Sequence, residues 1–161
     1  MNDHFTLIPV DSNPFEDEHI MSHPDELLTD SPQDVPSKKD SWGQHLLVDM
    51  SETDNKIKSK KQIDEFFHEL ILDKLKMEIL SDTVFKEVND RKEGHGISGM
   101  IMLTTSHVSL HADDNHNKVF LDVFSCRYFE KEPVLKYIYE YFKPKRMAYR
   151  EVFRDAGPGR Q

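Results

Sequence analysis

The residues able to do chemistry crowd into positions 96–111, which read Gly-Ile-Ser-Gly-Met-Ile-Met-Leu-Thr-Thr-Ser-His-Val-Ser-Leu-His. Ser98, Ser106 and Ser109 supply hydroxyls, and His107 and His111 supply imidazoles whose ordinary pKa of about 6.5 leaves a neutral base at neutral pH. Further on stands Cys126, the single cysteine of the chain, closing the apolar run 119–125. A hydroxyl nucleophile, an imidazole base and one thiol on a glycine-bracketed apolar stretch point to chemistry on the protein's own backbone.

Each of these residues also has a plainer explanation. A lone cysteine at a strand end packs as a small hydrophobe. His107, His111, Asp113, Asp114 and His116 have the composition of a metal site, but Val108 and Leu110 alternate as in a strand. An extended chain then holds His107 and His111 about 13 Å apart, too far to share one ion. No metal is expected. The same alternation puts Ser106, Val108 and Leu110 on one face and His107, Ser109 and His111 on the other. Joint action of Ser106 and His111 therefore needs a bend or bulge near the scissile bond.

These residues must be held by the elements around them. Residues 42–50 read as an opening strand. Ser59-Lys60-Lys61-Gln62 has capping-box form, and Ile63, Phe66, Phe67, Leu70, Ile71 and Leu75 recur at helical spacing behind it. Residues 79–88 predict a strand, and Gly94-His95-Gly96 a turn. The runs 100–103 and 119–124 are apolar enough for covered central strands. Pro133 suits the first turn of a second helix with Val134, Leu135, Ile138, Tyr141 and Phe142 on its apolar side, Pro144 ends it, and residues 145–153 return as a last strand. The order predicts an α+β fold, a two-layer sandwich with helices on one face of an antiparallel-rich sheet.

Charge divides the chain. The 161 residues carry a formal net charge of −9. Residues 1–40 hold ten acids against Lys38 and Lys39, and five of the eight prolines. That composition, with no sustained apolar period, predicts a disordered acidic tail. Residues 41–154 form the domain and 155–161 a flexible C-terminus. The domain is close to neutral, which excludes the clustered basic surface of a nucleic-acid binder. No apolar run reaches the ~20 residues of a membrane span, and the N-terminus lacks the pattern of a signal peptide. With one cysteine and no intrachain disulfide, the expected location is cytoplasmic.

Three motifs in order, Gly96-Ile97-Ser98-Gly99, then Ser106-His107 with His111, then Asp122-Val123-Phe124-Ser125-Cys126, make residues 42–153 resemble the small prokaryotic S-adenosylmethionine decarboxylase proenzymes. The resemblance implies self-cleavage between Thr105 and Ser106. The Ser106 hydroxyl attacks the Thr105 carbonyl, the amide becomes an ester, and β-elimination followed by loss of ammonia leaves a pyruvoyl group at position 106. By resemblance, His111 takes the α-proton and Ser98 assists processing. The pyruvoyl carbonyl then forms a Schiff base with a substrate amine, and Cys126 donates a proton after carbon dioxide leaves. The family's active sites lie near subunit contacts, so a homodimer of cleaved protomers is expected.

The chain also departs from that pattern. Relatives follow the second histidine with Thr-Trp-Pro-Glu, where Ala112, Asp113, Asp114 and Asn115 stand here; residues 88–95 lack the usual aromatic; and Thr105 replaces a glutamate before the cleaved serine. Two carboxylates in place of adenosine contacts favour a cationic side chain by charge-assisted hydrogen bonding, which puts L-ornithine or L-arginine slightly ahead as substrate, with Asp113 and Asp114 binding it. A polar hairpin turn accounts for the same residues. S-Adenosylmethionine is the alternative substrate, with Phe85, Phe120 or Phe129 as an adenine platform. A non-catalytic regulatory relative is the second alternative, disfavoured because such a protein has no need of Ser98, Ser106, His111 and Cys126 together.

Overall fold

The computed structural model describes residues 6–8, 41–90 and 94–155. Its elements in chain order are β1 (Thr6–Ile8), β2 (Gly43–Ser51), α1 (Lys60–Glu69) continued by one wider π-type turn (Leu70–Leu75), β3 (Val84–Asp90), β4 (Gly94–Leu103), β5 (Ser106–Asp113), β6 (Lys118–Ser125), α2 (Lys131–Phe142) and β7 (Arg146–Arg154). The strands form one sheet in the order β1-β7-β2-β6-β5-β4-β3. Every pairing is antiparallel. Both helices lie on one face, giving the two-layer α+β sandwich that the sequence predicts.

Alternation decides which face is buried. Leu46, Val48 and Met50 of β2, Ile97, Ile101 and Leu103 of β4, Val108, Leu110 and Ala112 of β5, and Val119, Leu121 and Val123 of β6 all turn inward and are almost completely buried. They meet Ile63, Phe66 and Phe67 of α1 and Val134, Leu135, Ile138 and Phe142 of α2 in one core. Phe66 is its aromatic centre, 4.6 Å from the Phe142 ring and 5.5 Å from Tyr137. Ser59 caps α1 by accepting from the Gln62 amide at 3.3 Å, and Lys143 ends α2 in the left-handed conformation just before Pro144. No described helix is long and apolar enough to cross a membrane.

The opposite face carries no helix among the described residues. There Val84, Val88, Met100, Met102 and Phe120 are exposed beside His45, Asp49, His107, His111 and Asp122.

Three sequence expectations are corrected. Gly94-His95-Gly96 is not a turn: β4 begins at Gly94, with Gly96 opposite Val88 and Asp113. The strand expected over 79–88 starts only at Val84, and Ile79 makes an isolated bridge to Leu103. Within the segment expected to be disordered, Thr6–Ile8 pairs with β7, Leu7 opposite Ala148. The remainder of the expected tail, residues 1–5 and 9–40, lies outside the described residues, as do residues 156–161 of the expected flexible C-terminus.

Candidate active site

The hairpin β4–β5 positions most of the candidate residues. Antiparallel register sets Ser98 opposite His111. On that open face the Ser98 hydroxyl and His111 Nδ1 hydrogen-bond at 2.7 Å. β6 places Phe120 on the other flank of His111, with ring centroids 6.4 Å apart and planes inclined by 25°. Val84, Ser98, Met100, His111, Phe120 and Asp122 line a shallow, mainly apolar groove of ≈ 320 Å³.

Ser106 sits at the far end of the same strand. Leu103 and Ser106 face each other across a two-residue turn, Thr104-Thr105, and both turn residues are exposed. The expected scissile bond between Thr105 and Ser106 is therefore at the accessible tip of a tight hairpin. Ser106 itself turns toward the helix layer, in register with Ser125 of β6. Its Oγ is shielded from solvent and has no hydrogen-bond partner among the described residues. An unmade hydrogen bond on a shielded hydroxyl costs about 1–3 kcal/mol, so such an atom calls for a reason. Cys126 directly follows Ser125, at the exit of β6, with a half-buried free thiol.

The bend or bulge that would let Ser106 and His111 act together is absent. The β5 ladder runs unbroken from Ser106 to Asp113 against both neighbours. Tight closure at Leu103–Ser106 holds the register, and a slip of one residue would turn the whole buried face outward. His111 and Ser106 stay on opposite faces, about 17 Å apart along the strand at about 3.4 Å per residue.

The open face near Ser106 is electrostatically crowded. His45 Nε2 lies 3.2 Å from Asp122 Oδ1. His107, 5.4 Å from the Phe124 ring, has its pKa lowered, first by burial and then by His45 and Arg154, with Asp122 opposing. Burial and the charge of Asp122 raise the pKa of Asp49, with Arg150 opposing.

Asp113 and Asp114 do not form a free acidic pair. Asp113 Oδ1 accepts from the amides of Asn115 and His116 at 3.0 and 3.1 Å, and its Oδ2 is 2.7 Å from His116 Nδ1. These bonds, that from the His116 side chain foremost, lower its pKa. This is an Asx-type turn, in which the carboxylate mimics a backbone acceptor and folds the β5–β6 connection. Asp114 donates its amide to the His95 carbonyl at 3.0 Å, and its shielded Oδ1 has no partner among the described residues. The polar hairpin is thus the reading the structure supports for Asp113.

Of the three phenylalanines weighed as an adenine platform, Phe120 alone opens onto the groove. Phe129 is buried, and Phe85 packs over Gly99 on the helix side. Sequence reasoning gave no role to Gln44, a buried amide in the row of Leu46, Val48 and Met50. Its signal was present in the alternation of β2, as the one polar residue at an inward position.

The two-layer sandwich thus sets Ser106 at a hairpin tip and Cys126 next to Ser125, the cross-strand partner of Ser106. A family model described as S-adenosylmethionine decarboxylase matches residues 44–155. The chain belongs to the S-adenosylmethionine decarboxylase family, a family of decarboxylases. It is 28% identical over 116 residues to the S-adenosylmethionine decarboxylase proenzyme of Archaeoglobus fulgidus, an alignment spanning 71% of this chain and 97% of the relative. It is 35% identical over 65 residues to the proenzyme of Persephonella marina, covering 40% of this chain and 49% of that one. The crystal structure of the adenosylmethionine decarboxylase from Aquifex aeolicus superposes with a TM-score of 0.59 at 22% identity, over 75% of this chain and 98% of that one, a likeness of fold.

Proposed function

We propose that this chain is a proenzyme that cleaves itself between Thr105 and Ser106 and, with a pyruvoyl group at position 106, decarboxylates S-adenosylmethionine. The observation that carries the reading is the placement of Ser106, whose shielded hydroxyl has no partner among the described residues, at the tip of an exposed hairpin in a family of decarboxylases. A hydroxyl with no competing hydrogen bond is free to turn on the neighbouring carbonyl, so the residues present fit the group they would produce. That group supplies an electron-withdrawing carbonyl to which a substrate amine can attach.

The chain's own residues do the rest. The position of Cys126, next in the chain to the cross-strand partner of Ser106, supports it as the group that returns a proton to the reacting carbon. In a dimer, the apolar groove of the second copy, lined by its Ser98 and His111, offers the Phe120 ring for an adenine and the Asp122 carboxylate for a sulfonium. The case for ornithine and arginine loses Asp113, whose carboxylate is committed within its turn, and keeps only Asp114, whose Oδ1 is shielded from solvent. His111, on the opposite face of β5, and its partner Ser98 on β4 do not reach Ser106 of their own chain, so processing draws them from a second copy. The exposed apolar residues of the open face, Val84, Met100, Met102 and Phe120, support a homodimer of cleaved protomers through that face.

Intact mass of the purified protein is the first test. Two pieces, residues 1–105 and 106–161, are expected, and one uncleaved species for Ser106→Ala. A Ser106→Ala variant that still cleaves would sink the reading. Cys126→Ala should cleave normally yet turn over slowly. Carbon dioxide release with S-adenosylmethionine, ornithine and arginine offered together should come from the first alone.

A further inference from the structure

The loop that carries Cys126 is gripped from both ends, and the second grip comes from a residue outside any motif of the site. At the near end, Ser125 Oγ accepts from the Arg127 amide at 2.9 Å, folding the chain sharply past the thiol. At the far end stands Gln44, 1% exposed on β2 and opposite Ser125 in register. Its amide nitrogen donates to the Phe129 carbonyl at 3.0 Å while its oxygen accepts from the Phe129 amide at 2.8 Å. Both backbone groups of one loop residue are thus held by one side chain. The remaining proton of the amide goes to Glu151 Oε1 of β7 at 2.6 Å, and Glu151 Oε2 is fixed in turn by Lys131 at 2.7 Å from the start of α2. With two acceptors facing the nitrogen and one donor facing the oxygen, only one orientation of the amide satisfies every partner.

Register adds the geometric point. Gln44, Ser125 and Ser106 lie in one cross-strand row on β2, β6 and β5, all turned toward the helix layer. The loop between Ser125 and Phe129 is therefore referenced to the strand that begins at Ser106. Helix packing alone does not require such a device: a buried leucine would fill the position of Gln44 and hold nothing.

We infer that Gln44 is a positioning residue that fixes the Cys126 thiol relative to position 106. The inference rests on the reading of Cys126 as proton donor, and its structural half stands apart from that reading. Gln44→Met keeps the volume and removes all three hydrogen bonds. Expected are normal cleavage, a KM within about twofold, and a kcat lowered roughly 10- to 100-fold, the scale of a reacting group displaced by about 1 Å. Alkylation of Cys126 by iodoacetamide should change rate severalfold, and the Phe129 amide should lose its protection from hydrogen exchange.

Gln44→Glu guards against a variant that folds poorly. Protonated, it can still accept from the Phe129 amide and donate to the Phe129 carbonyl; ionised, it sets a carboxylate against that carbonyl and Glu151. Its kcat should gain an additional limb that falls as pH rises, beyond any loss that ionisation of the Cys126 thiol gives wild type, with KM unmoved. Unchanged kcat and unchanged alkylation in Gln44→Met, or a pH profile of Gln44→Glu parallel to wild type, overturns the inference. Should wild type cleave and release no carbon dioxide from S-adenosylmethionine, the functional reading fails, and alkylation with hydrogen exchange still decides whether Gln44 places the thiol.

Discussion

His107 shows how one side chain next to Ser106 ties pH to stability. Burial, His45 and Arg154 disfavour its charged form, while Asp122 favours it, and the net pKa is lowered. The unfolded chain therefore binds a proton at higher pH than the folded one. This group's contribution is fully present above the unfolded pKa of about 6.5 and is lost as pH falls through the window between that value and the lowered folded one. His107→Gln should flatten the fall of the urea midpoint as pH drops below about 6.5. Parallel curves for variant and wild type would show that His107 titrates alike in both states. Asp49 works in the opposite sense, since its raised pKa means the folded state takes up a proton first as pH falls. Residue types alone single out Ser98, Ser106, His111 and Cys126, and of these the structure joins Ser98 to His111 by a hydrogen bond and sets Ser106 on the other face. Asp113 was misjudged because a carboxylate that folds a turn and one that binds a ligand share one letter, and the amides that claim it appear only once the chain has turned.

At the scale of elements, the glycines of β4 explain why the hairpin takes its register. A Cβ at Gly96 would collide with the carbonyl oxygen of Ala112, a backbone atom of β5 that cannot swing aside. At Gly99 the nearest atoms belong to the rings of Phe85, at 2.7 Å, and Phe67, at 3.2 Å, which can repack. Gly96→Ala should therefore destabilise by about 1–3 kcal/mol in urea unfolding, the usual cost of overpacking, and by more than Gly99→Ala. The reverse order would mean that the β4–β5 pair yields more easily than the α1 layer. Helices and central strands were readable from the sequence because their apolar periods are long. Gly94-His95-Gly96 was misread as a turn because glycine is also tolerated where two backbones approach closely, and pairing partners are not visible in a single strand. The wider turn at Leu70–Leu75 was read as plain helix, since its apolar spacing continues that of α1.

For the whole molecule, the continuous β5 ladder keeps His111 on the face opposite Ser106, and the proposed self-cleavage then draws His111 and Ser98 from a second copy. If Ser98 and His111 act across a dimer, two defective chains should repair each other. A His111→Ala chain keeps its own Ser106, and a Ser106→Ala chain keeps its own His111. Co-expressed, the His111→Ala chain should be cleaved in mixed dimers, while alone it stays intact. Mass spectrometry of the mixture reads the result, and no cleavage of the His111→Ala chain would place both residues in their own active site. Sedimentation of wild type should give a dimer, and Phe120→Lys, which charges the open face, should shift it toward monomer.

The order of strands has one more consequence, because a cut after Thr105 does not divide the sheet into two halves. Residues before the cut supply β1, β2, β3 and β4, and residues after it supply β5, β6 and β7. Across the sheet the two pieces alternate, so that β7 is enclosed by β1 and β2, and the pair β6–β5 by β2 and β4. The pieces are woven like the fingers of clasped hands, and neither can leave without dismantling the other. For the cut protein, unfolding is then also dissociation, and refolding becomes an encounter between two molecules. Recovery of the far-ultraviolet sheet signal should slow on dilution for the cleaved protein and stay independent of concentration for Ser106→Ala.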